Sequence, residues 1–142
     1  MTIAIILQGR EGAVFTASPD DLVETVVARL AEHRIGALPV VQNGEVLGIF
    51  SERDVIYGLA SHGAALMGKR VGDVMTAPAI TVTADTPVLS ALSLMTRRRI
   101  RHLPVAEGTQ IAGFVSIGDL VKYRIEKIEA EASAMRDYIQ MA

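Results

Sequence analysis

Slid along itself by 65 places, this chain matches itself: positions 14–58 fall on 79–123 without a gap. Identities recur at Thr16/Thr81, Asp20/Asp85, Val23/Val88, Arg34/Arg99, Ile35/Ile100, Leu38/Leu103, Pro39/Pro104, Val40/Val105, Gly48/Gly113, Ser51/Ser116 and Asp54/Asp119. Gly48-Ile49-Phe50-Ser51-Glu52-Arg53-Asp54 returns as Gly113-Phe114-Val115-Ser116-Ile117-Gly118-Asp119: glycine, two apolar residues, serine, two variable residues, aspartate. Two copies are too few for a solenoid. They predict a pseudo-symmetric pair packed face to face, each unit covering the apolar sheet of the other.

Within each copy the local signals agree. Asp21 with Glu24 three residues on reads as a helix-capping pair. Val23, Val26, Val27 and Leu30 then mark one face of a helix, echoed by Val88, Ala91, Leu92 and Met95 after Pro87. Gly36 is placed to end the first of these helices. Val14-Phe15-Thr16 reads as a short strand, and Leu38-Pro39-Val40-Val41 as a strand whose proline suits an edge. Asn43-Gly44 signals a hairpin into Val46–Phe50, and Ser51 opens a helix to about Leu59. The chain divides into an N-terminal segment (1–13), repeat 1 (14–60), a glycine-containing linker (61–78), repeat 2 (79–125) and a tail (126–142). From the end of repeat 2 into the tail, Val121, Ile125, Ile128, Ala132, Met135, Ile139 and Ala142 follow a 4, 3, 4, 3 heptad spacing, so a long helix from Ile117 is expected to meet a partner chain in part, the alternative being a helix folded back on its own domain.

The totals exclude several classes. At 142 residues, half of them hydrophobic, the chain suits one unit or two small units sharing a core. No apolar run approaches the roughly 20 residues of a membrane span, and Thr2–Leu7 lacks the flanks of a signal peptide. A cytoplasmic protein without membrane contact is expected. With no cysteine there is no thiolate chemistry, and three histidines without metal-like spacing give no metal site. A net charge of -2 gives no general case for nucleic acid, although Arg97–His102 is a short basic run. No acid–base pair or activated serine stands out, so no catalytic residue is assigned.

The duplicated pattern resembles the CBS-domain pair, named after cystathionine β-synthase and also called the Bateman module. Ile35–Val41, Gly48–Asp54, Val71–Thr76, Ile100–Val105 and Gly113–Asp119 carry the likeness, which covers about residues 10–125. It implies an α+β fold of two tandem β-α-β-β-α units in a pseudo-twofold pair, here with an added C-terminal helix. It implies a homodimer and a stand-alone regulatory sensor that acts on another protein. It also implies adenosine-containing ligands (AMP, ADP, ATP or NAD(H)) in two clefts, with no catalytic cofactor.

Ser51-x-x-Asp54 and Ser116-x-x-Asp119 can be read as capping boxes alone. The same geometry offers helix N–H groups to a phosphate and a carboxylate to ribose hydroxyls. Carried over by position, the first cleft would use Ser51, Arg53 and Asp54 with Ile100, Arg101 and His102, and Met75, Ala79 and Ile80 around the base. The second would use Ser116 and Asp119 with Ala13, Phe15, Ile35, Gly36 and Ala37. Because Arg101 and His102 stand where the second cleft has Gly36 and Ala37, the first is expected to hold the more anionic ligand and the second to lack such charge. His33 and His62 are expected to be surface residues without partners. The competing readings are a ligand-free interaction module, a nucleic-acid binder using the arginine run, and an undetected hydrolase.

Overall fold

The computed structural model describes residues 1–10 and 14–141. Its elements run α1 (Ile3–Gln8), α2 (Val23–His33), β1 (Ala37–Gln42), β2 (Glu45–Ser51), α3 (Glu52–His62), a 3₁₀ turn (Gly63–Gly68), α4 (Val71–Val74), α5 (Val88–Arg98), β3 (His102–Glu107), β4 (Gln110–Ser116) and α6 (Ile117–Met141). Helices and one antiparallel sheet of order β1-β2-β4-β3 give the α+β architecture.

The duplication is visible bond by bond. Both hairpins carry a bulge at the same place, between Val40 and Val41 and between Val105 and Ala106. Asn43 and Gly44 both take positive φ, the turn that Asn-Gly favours. Each proline lacks an N–H but offers a carbonyl. Pro39 accepts from Ala17 and Pro104 from Val82, so a single parallel bridge straps each edge strand where a longer Val14–Thr16 strand was expected. The hairpins meet through Glu45 and Gln110. The approach is close enough that a Cβ on Gly44 would stand 2.1 Å from the Gln110 side chain.

The ends of α2 and α5 differ from expectation. The N-cap of α2 is Leu22 with no side-chain bond, while the Asp21 carboxylate turns back to accept from the Ser18 N–H at 2.9 Å. Asp21 thus closes the preceding turn and leaves no capping pair with Glu24. At the other end Arg34, two residues before Gly36, is the left-handed residue. Its N–H donates to Ala31 and that of Ile35 donates to Leu30, which is the Schellman closure. Arg99 and Ile100 repeat the left-handed turn and the Ile-to-helix bond at α5. A β-carbon is tolerated there because Ile35 and Leu30 pack together on the core as the motif closes.

The expectation that each unit covers the other's sheet is also corrected. Two separate cores form, each built on one repeat. Val23, Val26, Leu30, Leu38, Val40 and Phe50 make the first, completed by Leu66 and Val71 from the linker. Val88, Ala91, Met95, Leu103, Val105 and Val115 make the second, completed by Leu120 of α6 and by Ile3 of α1. Thus α1 does for repeat 2 what the linker does for repeat 1. The Val23 N–H donates to Lys69, and the equivalent Val88 N–H donates to Met1.

Candidate functional site

Both Ser-x-x-Asp turns are capping boxes. The Ser51 N–H donates to Asp54 Oδ2 at 2.9 Å and the Asp54 N–H donates to the Ser51 hydroxyl at 3.4 Å. The Ser116 N–H donates to Asp119 Oδ2 at 2.8 Å and the Asp119 N–H to the Ser116 hydroxyl at 3.1 Å. Each helix mouth is thereby fixed at the end of its strand using one carboxylate oxygen. What happens to the other oxygen differs. The Thr76 hydroxyl donates to Asp54 Oδ1 at 2.8 Å. Among the described residues no bond reaches Asp119 Oδ1; instead the Arg10 guanidinium pairs with Asp119 Oδ2 and donates to the Phe114 carbonyl.

A cavity of about 580 Å³ opens at the first turn. Ser51, Arg53, Ile100, Arg101 and His102 line it, joined by Glu52, Ile56, Tyr57 and Thr76. Arg53 donates to the carbonyl of Arg99 at 3.2 Å, tying the start of α3 to the end of α5 in the other repeat. Asp54 stands behind this wall, held by two of its members, Ser51 and Thr76. Met75 packs on the first core and Ile80 on the second, while Ala79 is half-buried; the cavity wall includes none of the three.

A second cavity, of about 540 Å³, opens at the other turn. Phe15, Ile35, Gly36, Ala37, Ser116 and Asp119 all line it. Ala13 lies outside the described residues. Phe15 stacks on His33, with centroids 3.8 Å apart, so His33 has a partner after all. Gly36 and His102 line both cavities, which therefore share a wall.

The expected absence of charge in the second cleft does not hold. Arg10, Arg34 and His102 line it, against Arg53, Arg101 and His102 in the first. Arg34 enters because the Schellman turn places it at the rim. Arg10 enters because α1 is anchored on the second core. Ile3 is fully buried there, and Leu7 lies against Gly113. A signal was present in the sequence: carried four places past its start, the 65-residue register sets Arg10 opposite Met75. The register's own first pair sets Val14, another wall residue, opposite Ala79.

Two groups in this region titrate abnormally. Burial pushes the His102 imidazole below its ordinary value, only partly opposed by Asp119 and Glu52, and Arg101 pushes the same way. The ring stacks on Phe114 with centroids 5.5 Å apart. Burial would raise the Asp119 carboxyl, but the Ser116 N–H and the Arg10 guanidinium outweigh it and hold it below its usual range. Among the described residues no group of three or more acidic or histidine side chains is placed to hold a metal ion, and no helix is long and apolar enough to cross a membrane.

A strand-to-helix turn present twice, with a cleft at each copy and a wall in common, defines a tandem two-cleft module. The family model for the CBS domain matches residues 12–61 and 71–126. The chain belongs to the CBS domain family. It is 38% identical over 135 residues to the mitochondrial CBS domain-containing protein CBSX3 of Arabidopsis thaliana, an alignment covering 92% of this chain and 66% of that protein. The crystal structure of the CBS-domain containing protein ATU1752 from Agrobacterium tumefaciens superposes with a TM-score of 0.80 at 36% identity, over 87% of this chain and 98% of that one. CBSX2 in complex with AMP shares the fold at 23% identity, with a TM-score of 0.75 over 88% of this chain and 96% of that one. Proteins with CBS-domain pairs are generally regulatory rather than catalytic.

Proposed function

We propose that this chain is a non-catalytic sensor of adenine nucleotides, working as a dimer in the cytoplasm, with one ligand site in each cleft. One observation carries the reading. Each cavity opens at a helix mouth whose aspartate spends Oδ2 on the cap, and each has cations in its lining. The free N–H groups and positive end of such a helix suit a phosphate, and a carboxylate beside them suits ribose hydroxyls. Each cavity also draws on both repeats, so a ligand would report on how the repeats sit together. That is what a sensor needs, because a ligand shifts an equilibrium only through unequal affinity for its two states. CBSX2, a protein of the same fold, was solved with AMP, which makes AMP the first ligand to try.

Thermal unfolding with AMP, ADP, ATP, NAD and NADH tests the reading. A ligand at 100 times its Kd adds about 2.7 kcal/mol, or roughly 10 °C in Tm for a chain of this size. Asp54→Ala and Asp119→Ala should each remove binding at their own cleft, and each should cost about 1 kcal/mol for the lost cap. A Tm unmoved by all five nucleotides overturns the proposal in favour of an interaction module that keeps the fold without the ligand. Turnover of a bound nucleotide would overturn its non-catalytic part.

A further inference from the structure

The 25-residue helix α6 extends beyond what the second core occupies. At about 1.5 Å per residue it is roughly 38 Å long. Only its first turns are held: Leu120 is buried, and Tyr123 packs on the second core, its hydroxyl donating to the sulfur of Met1. On the opposite side, Val121, Ile125, Ile128, Met135 and Ile139 form a stripe that stays open, Ile125 at 50% and Ile139 at 65% exposure. A large apolar stripe of this kind on a soluble fold marks a contact surface. Its spacing states the kind of contact. Ile125, Ala132 and Ile139 fall at heptad position a, and Val121, Ile128 and Met135 at position d.

We propose that residues 121–141 pair with the same segment of a second copy of this chain as a parallel, in-register, two-stranded coiled coil. The charges beside the stripe choose the occupant. Position g is taken by Arg124 and Glu131, and position e by Lys122, Glu129 and Arg136. In a parallel pair a g residue faces the partner's e residue five places on. Arg124 then meets the partner's Glu129, and Glu131 meets the partner's Arg136. Symmetry repeats both contacts, and no like charges are opposed. Lys122 has no charged residue opposite it, because the g position five places earlier lies before the paired segment. The contact also leaves the domain undisturbed, because Tyr123 lies at position f, opposite the seam. The inference extends the dimer part of the proposed function and is independent of its nucleotide part.

The chain has no cysteine, so single-cysteine variants of the full protein give a clean test. In a parallel register the two copies of an a residue lie side by side, at a separation a disulfide can span. Ala132→Cys should therefore become a covalent dimer on mild oxidation, while Ser133→Cys, at position b, stays uncrosslinked. In sedimentation experiments at low salt, Glu129→Arg should weaken dimerisation about tenfold, and adding Arg124→Glu should restore it. A wild-type chain that stays monomeric at every concentration overturns the proposal. So does a dimer in which Ala132→Cys alone never crosslinks, or crosslinks only in a mixture with Ile128→Cys, the mark of an antiparallel seam. Thermal shifts with AMP on the same variants keep a failure here distinct from a failure of ligand binding.

Discussion

The two clefts stand on one seven-residue framework and differ in what closes them. Over the first, the chain after α4 runs back along β2, and Thr76 exchanges two backbone bonds of 2.9 Å with Ile49. Its hydroxyl holds the outer oxygen of Asp54. Over the second, a side chain of α1 does the covering, and Arg10 takes the place that Met75 holds in the register. One aspartate is thus restrained by a neutral hydroxyl on a backbone strap, and the other by a cation just past the end of a short helix. The repeats preserved the cap and let the lid diverge. The cap depends on four consecutive residues, whereas the lid is supplied from elsewhere.

The largest test of this difference uses the two equivalent glycines. A Cβ on Gly48 would stand 2.5 Å from the Thr76 carbonyl oxygen, which is backbone, whereas one on Gly113 meets a methyl of Leu7 at 2.7 Å. A leucine end can rotate away; a paired strap cannot. Gly48→Ala should cost about 2–3 kcal/mol and Gly113→Ala under about 1 kcal/mol, measured by denaturant unfolding. Equal losses would break the comparison.

Next is the cation. Arg10→Gln frees Asp119 and removes a phosphate partner from the second cleft only. The AMP-to-adenosine affinity ratio there should fall about tenfold in titration calorimetry, the size of one charge-assisted hydrogen bond. The first cleft should keep its ratio, and a change shared by both would count against the separate lids. Stability should change little, since the ion pair is part-exposed. The acid limb should shift, however. A carboxyl held low by the fold stabilises above its unfolded pKa and loses that contribution as pH falls through the native value. Without Arg10 the native value moves up toward the unfolded one, so that loss should be smaller and complete at a higher pH.

The smallest effect belongs to the shared wall. The fold holds His102 neutral, so near its ordinary value of 6.5 the unfolded chain takes up protons more readily. Stability should therefore decline as pH drops below about 6.5 and level off once pH is under the lowered native value. His102→Gln should flatten that slope in pH-dependent melts. An anion bound in either cleft should raise the histidine's affinity for a proton. AMP binding should then take up protons in the wild type and not in His102→Gln, read from calorimetry in buffers of different ionisation enthalpy.

The sequence by itself determined the duplication, the helical stripes, the Asn-Gly hairpin and the capped turns, because each rests on residues close enough to interact within one element. It also exposed the apolar seam of α6, whose period belongs to the helix alone. Only the tertiary structure decided which side chains close each cleft. Arg10 reaches Asp119 across more than a hundred positions because Ile3 is buried in the second core, and Thr76 reaches Asp54 because a strap pairs with β2. Tertiary structure also decided that the cores are separate and that Asp21 closes a turn rather than a helix. A local signal states which bonds a residue can make. Which bonds it makes depends on the groups that folding brings within about 3 Å, and here those come from segments outside the repeated pattern.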